Sequence, residues 1–299
     1  MNQQPTVIAL GFFDGVHRGH GALLRRTVER AAALRATPAV FTFDRPPKEV
    51  VTGRPVPQIN STEDRRDQIR RLYGIERVIL APIDRAMMTM SWQDFITSLV
   101  EQYGAVHLVA GHDYHFGYKN EGTPELLRSR CAQLGLGCDI IPKVEYDGLT
   151  VSSTYIRTLV EAGDVERAAA FLDHPHCLSQ TVTHGRRIGR TIGVPTINLA
   201  LPASVLVPGH GVYITRVHLP DGSSYPGVTN VGVRPTVSDS GTVSVETFLL
   251  DYDGDLYGQR VRLEFCRRLR GEQRFPSLEA LRRQILEDIA CARAYFAEN

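Results

Sequence analysis

The sequence predicts a two-part molecule: an α/β first half built on a parallel sheet, and an antiparallel β-barrel second half closed by a C-terminal helix. Three observations carry this. The chain has 299 residues, a length that suits two domains. Short apolar runs alternate with helix-spaced segments through the first half, the pattern of repeated βα units. In the second half, strand-like runs lie close together and are separated by turn clusters such as Pro220-Asp221-Gly222 and Asp253-Gly254-Asp255, the pattern of a barrel.

Taken in order, residues 6–10 are an apolar run ending in Gly11, a buried strand feeding a turn. Over residues 19–34, Leu23, Leu24, Val28 and Ala31 recur at helical spacing. Residues 39–43, 77–81 and 107–110 read as strands, and 63–73 and 92–103 as helices. A further helix is predicted over 164–172, with Asp164 as its N-cap. Pro175 cannot continue that helix, so the domain boundary is set there, giving 1–176 and 177–299. Residues 212–217, 228–231, 243–250 and 259–266 are strand candidates. A last helix is expected from Ser277, with Leu278, Leu281, Ile285, Ile289, Ala292 and Phe296 as a stripe that packs into the core rather than a binding face.

Composition excludes several classes. Hydrophobic residues are 42% and charged residues 22% of the chain, the mix of a globular protein. Lys plus Arg is 34 and Asp plus Glu is 33, which points to neither a nucleic-acid partner nor a membrane surface. No apolar window has spanning length and the start has no basic n-region, so no signal peptide or transmembrane helix is expected. The five cysteines form no CxxC pair, which predicts reduced thiols in a cytoplasmic protein. No feature of the sequence fixes an oligomeric state.

Two segments carry chemistry. Residues 11–20, GFFDGVHRGH, lie between a strand and a helix. Unpaired N–H groups at a helix N-terminus favour phosphate. Gly15 and Gly19 allow close backbone approach, and His17 and His20 are spaced to share one face of the first turn. In the second half, Gly185, Gly189 and Gly193 recur every four residues, a loop whose backbone can wrap phosphates, although it is not a Walker A motif. Taken singly, each has a plainer reading: two surface histidines beside a turn, or a Gly-rich hairpin with basic solubilising residues.

Together with three further segments, these patterns resemble the bacterial bifunctional riboflavin kinase/FAD synthetase family. The first segment is similar to the HxGH element of nucleotidylyltransferases; GHDYHFG (111–117) resembles GxDFxFG, and VSSTYIR (151–157) resembles (I/V)SSTxIR. PTIN (195–198) resembles the PTAN element of riboflavin kinases. PGHGVY (208–213), GVTNVGVRPT (227–236), Tyr257-Gly258 and Leu269-Arg270 with Glu272 and Phe275 extend the likeness over nearly the whole chain.

The resemblance implies a Rossmann-like nucleotidylyltransferase domain over 1–176 and a riboflavin kinase barrel over 177–299. It implies ATP and Mg²⁺ as co-substrate and cofactor, and riboflavin, FMN and FAD as the flavins handled. Nucleotide-binding roles follow for Gly11, Phe12, Asp14, Gly15, Gly19, Asp113, Ser152, Ser153 and Thr154, with His17, His20 and Arg157 at the phosphates undergoing adenylyl transfer. In the second half they follow for Gly185, Gly189, Arg190, Thr191, Gly193 and Pro195. Thr196 and Asn198 are the implied metal ligands, and Arg270, Glu272 and Phe275 the implied flavin contacts. Glu246 is the implied base toward the riboflavin 5′-hydroxyl, because an alcohol, unlike a phosphate, must lose a proton. Read without the resemblance, Glu246 is an exposed charge on an alternating strand, and Ser152–Thr154 an ordinary helix cap.

Departures from the family pattern include Phe248 where His is common, Val194 for Phe, Ile197 for Ala, Gly271 for Pro, His115 for Arg, and Arg45-Pro46-Pro47 for Pro-His-Pro. Two alternatives stay open on the sequence: a chain with only one working half, and a flavin- or nucleotide-binding regulator without turnover.

Overall fold

The computed structural model describes residues 4–185, 193–234 and 242–298. The chain divides into two compact units, Met1–Gln58 with Thr62–Ser153 and Ile59–Ser61 with Thr154–Asn299.

The first unit is a parallel sheet with helices on both faces. Its strands are β1 (Thr6–Leu10), β2 (Thr37–Phe43), β3 (Arg77–Ala81), β4 (Ala105–Gly111) and β5 (Gly137–Ile141), in the order β3-β2-β1-β4-β5. The central strand β1 is buried on both sides, which is why it reads as an unbroken apolar run. Ile8 and Leu10 face one core, with Phe41, Phe95 and Leu108. Val7 and Ala9 face the other, with Leu24, Val40, Ile69 and Val109. Helix α1 (Arg18–Leu34) presents Leu23, Leu24 and Ala31 to this second core and ends at Arg35 in the left-handed region. The helix Pro124–Gln133 and a short hairpin of β6 (Glu145–Tyr146) and β7 (Leu149–Thr150) also belong to the unit.

The second unit is a closed barrel of β8 (His176–Thr183), β9 (Ile197–Leu199), β10 (Gly211–His218), β11 (Ser224–Arg234), β12 (Thr242–Leu249) and β13 (Arg260–Arg270). Neighbouring strands run antiparallel. Side chains alternate across the wall. Tyr213, Val231, Val245, Leu263 and Phe265 fill the interior, and a buried hydroxyl ladder joins Thr215, Thr229 and Thr247 at 2.8 Å per step. Two helices precede the barrel, Ser153–Ala162 and Val165–Leu172; Asp164 caps the second by accepting from the Arg167 N–H.

The C-terminal helix, Leu278–Glu298, lies on the outer face of the barrel, where Ala292, Ile289, Tyr295 and Phe296 meet Val212, Ile214, Val228 and Leu250. One expectation is corrected here. The apolar stripe of this helix is not all core: Leu278 is 56% exposed, and Leu281 and Ile285 line a cavity. Helical spacing identifies the inward face but cannot say whether that face meets a packed wall or a hollow.

Candidate active sites

In the first unit the strand order reverses at β1, whose neighbours β2 and β4 lie on opposite sides. Open α/β sheets form their ligand crevice at the carboxyl ends of strands at such a point. Both the 11–17 loop and the 111–117 loop leave the sheet there, after β1 and β4 respectively.

The first loop is tightly wound. Gly15 has φ 82°, and the buried Phe13 and Val16 also lie in the left-handed region, at φ 59° and 44°. A β-branched residue held there stores strain of about 1–3 kcal/mol, tolerated where the surroundings over-determine the backbone. His17 is the N-cap of α1 rather than a member of its first turn; its Nδ1 accepts from the His20 N–H at 3.3 Å. The ring proton of neutral His17 therefore sits on Nε2. The two imidazoles stack with centroids 3.6 Å apart, and Phe13 leans on His20 at 5.1 Å. Gly19 has no room for a side chain without crowding the His17 ring, since a Cβ there would lie 3.1 Å from Cε1. Burial, then His17, then Arg65 hold His20 well below the usual imidazole range, so it is neutral at pH 7.

Ser153 opens its helix and donates its hydroxyl to the Asp14 carbonyl at 2.9 Å, tying the segment 151–153 to the loop. That bond commits the hydroxyl proton, so the Ser153 side chain can donate to a ligand only by rotating away from Asp14. Arg157 follows four residues later, on the same face of that helix. Gly11 is packed by the Phe13 ring, and Asp113 is exposed at the end of β4.

Beside the second loop lies an apolar cavity of about 450 Å³, walled by Phe43, Met87, Met90, Phe95, Tyr114 and Phe116, with His115 at its edge. Tyr114 and Phe116 stack 5.4 Å apart, and burial pushes the Tyr114 hydroxyl up, so it stays protonated. Gly117 turns the loop away at φ 74°, where a Cβ would strike the Trp92 backbone at 2.7 Å.

In the second unit, Asn198, Glu246 and Asn230 are directly opposite one another across β9, β12 and β11. Residues in register share a face, and this row points outward, because Val245 and Thr247 point in. Glu246 is half-buried, not an exposed surface charge. It lines a cavity of about 380 Å³ between the barrel wall and the C-terminal helix, with Val212, Val228, Phe248, Phe275 and Leu281 as its apolar lining. Val194, Arg270 and Glu272 also line it.

A second cavity of about 510 Å³ lies beyond, walled by His184, Pro195, Ile197, Tyr252, Asp255 and Tyr257. Thr196 and Phe248 belong to the linings of both. Asn198 is buried, and Gly185 packs directly on it; a Cβ at 185 would lie 2.3 Å from the Asn198 Nδ2. Gly193 has φ 77°. Gly189, Arg190 and Thr191 lie outside the described residues.

Thr196 just before β9, Asn198 on β9 and Glu246 opposite it on β12 are hard oxygen donors, a set suited to a Mg²⁺ ion that keeps several waters. Among the described residues no group of three His, Cys, Asp or Glu side chains could hold a metal ion.

Sequence reasoning missed two side chains. Asp288, on the C-terminal helix, is buried in the cavity wall and grips Arg270 through Nε and Nη2 at 2.8–3.2 Å. Arg65, on the helix Thr62–Tyr73, is fully buried and bonds the Phe12 carbonyl at 3.0 Å. An arginine in a charged helix gives no sign in sequence that it points inward.

Comparison with known proteins agrees with this geometry. The FAD synthetase family model matches residues 1–155 and the riboflavin kinase model residues 172–296. The chain is 39% identical to the bifunctional riboflavin kinase/FMN adenylyltransferase of Pseudomonas fluorescens, over 98% of this chain and 94% of the relative. It is 34% identical to the protein of the same description from Bacillus subtilis, over 99% and 94%. A crystal structure described as a macrolide-efflux protein from Streptococcus pneumoniae superposes with a TM-score of 0.85 at 29% identity, covering 97% of this chain and 94% of that one. Among the described residues here, no helix is long and apolar enough to cross a membrane.

Proposed function

The chain belongs to the bifunctional riboflavin kinase/FMN adenylyltransferase family, and we propose that it phosphorylates riboflavin to FMN with ATP and then adenylylates FMN to FAD with release of pyrophosphate. We assign the second reaction to residues 1–176 and the first to 177–299. The observation that carries the reading is the Asn198–Glu246–Asn230 row: its Glu246 and Asn230 line an apolar cavity whose wall, at Thr196, is also the wall of a more polar one.

Riboflavin occupies the cavity under the C-terminal helix, with its 5′-hydroxyl toward Glu246. Glu246 accepts the hydroxyl proton as the oxygen attacks the γ-phosphorus of ATP, and ADP leaves. ATP occupies the cavity lined by His184 and Tyr257, so that its terminal phosphate reaches Thr196. Thr196 and Asn198 would hold Mg²⁺, which supplies charge neutralisation at the phosphates. Phe275 and Leu281 exclude water from the hydroxyl, and Arg270, held by Asp288, closes one side.

In the first half the FMN ring system fills the apolar cavity beside Tyr114 and Phe116. The FMN phosphate, already a nucleophile, attacks the α-phosphorus of ATP. His17 Nε2–H, neutral His20 and the N–H groups at the start of α1 donate to the phosphate oxygens, and Arg157 adds charge. These groups work by position and electrostatics, without a base. Both reactions are placed in the cytoplasm; the five free cysteines, two of them buried, support a reducing compartment.

The test is a chromatographic time course of riboflavin, ATP and Mg²⁺ with the purified full chain. FMN appearing first and FAD following is the expected result. Riboflavin unchanged, and FMN unchanged when supplied directly, would sink the proposal.

A further inference from the structure

We propose that Arg65 is a positioning residue for adenylyl transfer: its guanidinium fixes the Phe12 carbonyl at the start of the phosphate loop and keeps a positive charge at that loop. This rests on the reading of the His17/His20 loop as the adenylyl-transfer site.

Arg65 is a cation with no exposed surface. Its Nη1 donates to the Phe12 carbonyl at 3.0 Å and its Nη2 to the Phe43 carbonyl at 2.6 Å, with a longer contact of 3.4 Å to Thr62 Oγ1. Phe43 ends β2 and Phe12 lies just past β1, so one planar fork spans the carboxyl ends of two adjacent strands. The guanidinium also lies 4.3 Å over the Phe12 ring. The Phe12 carbonyl takes a second bond from Thr42 Oγ1 at 2.9 Å, which leaves the loop little freedom at that point.

Burial pulls the Arg65 guanidinium down to about 10, while Asp14 and Asp44 oppose that shift, so it stays charged at neutral pH. A buried charge is costly, and an apolar residue of similar volume would pack this site as well or better if filling space were the only need. The charge has a use because of what it faces. His20 packs against the His17 and Phe13 rings, in the loop whose Phe12 carbonyl Arg65 holds; the field of the Arg65 cation reaches His20, and the charges of Asp14 and Asp44 act on Arg65 in turn. A cation there opposes protonation of His20 and adds positive potential at the loop that receives phosphate oxygens.

Arg65→Met and Arg65→Lys in the full-length chain test this, with both reactions assayed and His20 titrated by histidine-selective NMR. In Arg65→Met, kcat/KM for FMN to FAD is expected to fall about 10²-fold, the loss typical of a misplaced reacting group. The His20 midpoint should rise, and riboflavin phosphorylation in the same chain should be unchanged. Arg65→Lys keeps the charge but not the fork, so the His20 midpoint should stay as in the parent while the rate is only partly recovered. If Arg65→Met fails to fold, Arg65→Lys decides: a reduced FAD rate with an unmoved midpoint supports the assignment, and an unreduced rate overturns it. Equal losses in both variants, with the midpoint unmoved in each, would make Arg65 a structural cation only and overturn it as well. A parent chain that makes no FAD from FMN overturns instead the reading on which the inference rests.

Discussion

The loop after β1 and the row of side chains across β9, β12 and β11, both proposed here as sites of phosphate chemistry, are made of different material. The loop offers largely backbone, a helix N-terminus and three left-handed residues, together with two imidazoles locked by stacking. The row works with side chains fixed in register by the barrel, one of them a half-buried carboxylate facing an apolar hollow. The difference follows from the nucleophile. A phosphate that attacks is already charged and needs placement and donors, which backbone at a strand end supplies. A hydroxyl that attacks needs a base, and a base must be a side chain of the right basicity in the right place.

The largest effect should come from removing that base. Glu246→Gln keeps the shape of the cavity and is expected to lower FMN formation by about 10²–10⁴-fold, while FAD formation from added FMN continues. A Glu246→Gln chain that phosphorylates riboflavin at the parent rate would break the contrast between the halves. The counterpart is His20→Ala, which removes one donor and should cost FAD formation about 10²–10³-fold with FMN formation intact.

A smaller effect is expected within the barrel. Gly185→Ala forces a methyl onto Asn198, 2.3 Å from its Nδ2 without movement. The expected outcome is a raised requirement for Mg²⁺ in the kinase reaction and no change in the adenylyl-transfer reaction, read from metal titrations of each. An unaltered metal dependence would remove Asn198 from the proposed ligand set.

The smallest effect is one of stability. Burial holds His176 neutral, with its pKa lowered to about 3. The unfolded chain takes up this proton near pH 6.5 and the folded chain only near 3, so stability present above pH 6.5 is lost progressively as pH falls across that window. The expected slope is about 1.4 kcal/mol per pH unit for this group. Denaturant melts of the parent and of His176→Leu between pH 7 and 5 should diverge; parallel curves would show that His176 does not titrate in this way.

Much of the fold was legible because it is local. Strands Thr6–Leu10 and Arg77–Ala81 and helix Trp92–Tyr103 match their sequence patterns at both ends, since each has a clear periodicity and a cap or turn beside it. The strand Gly137–Ile141 went unread because GCDII has neither alternation nor a long apolar run. Ile197–Leu199 is too short to show a period, and His176–Thr183 mixes polar and apolar residues in a wall buried unevenly on its two sides.

The site residues divide the same way. His17 and His20 were visible as a motif between a strand and a helix. The environment of Glu246 was not, because alternation along Thr242–Leu249 shows only that Glu246 faces away from the barrel interior. Whether that outer face meets water or a helix-covered hollow depends on where Leu278–Glu298 packs, which is decided more than thirty residues later. Arg65 and Asp288 were hidden for a related reason: both sit in charged helices and turn inward to meet partners distant in sequence, at Phe12 and Arg270.

If one chain holds two chemically independent sites, crossing substrates with variants will separate them. Glu246→Gln is given FMN and ATP, His20→Ala is given riboflavin and ATP, and the flavins are separated over time. FAD is expected from the first and FMN, without FAD, from the second. Loss of both reactions in either variant would contradict that independence.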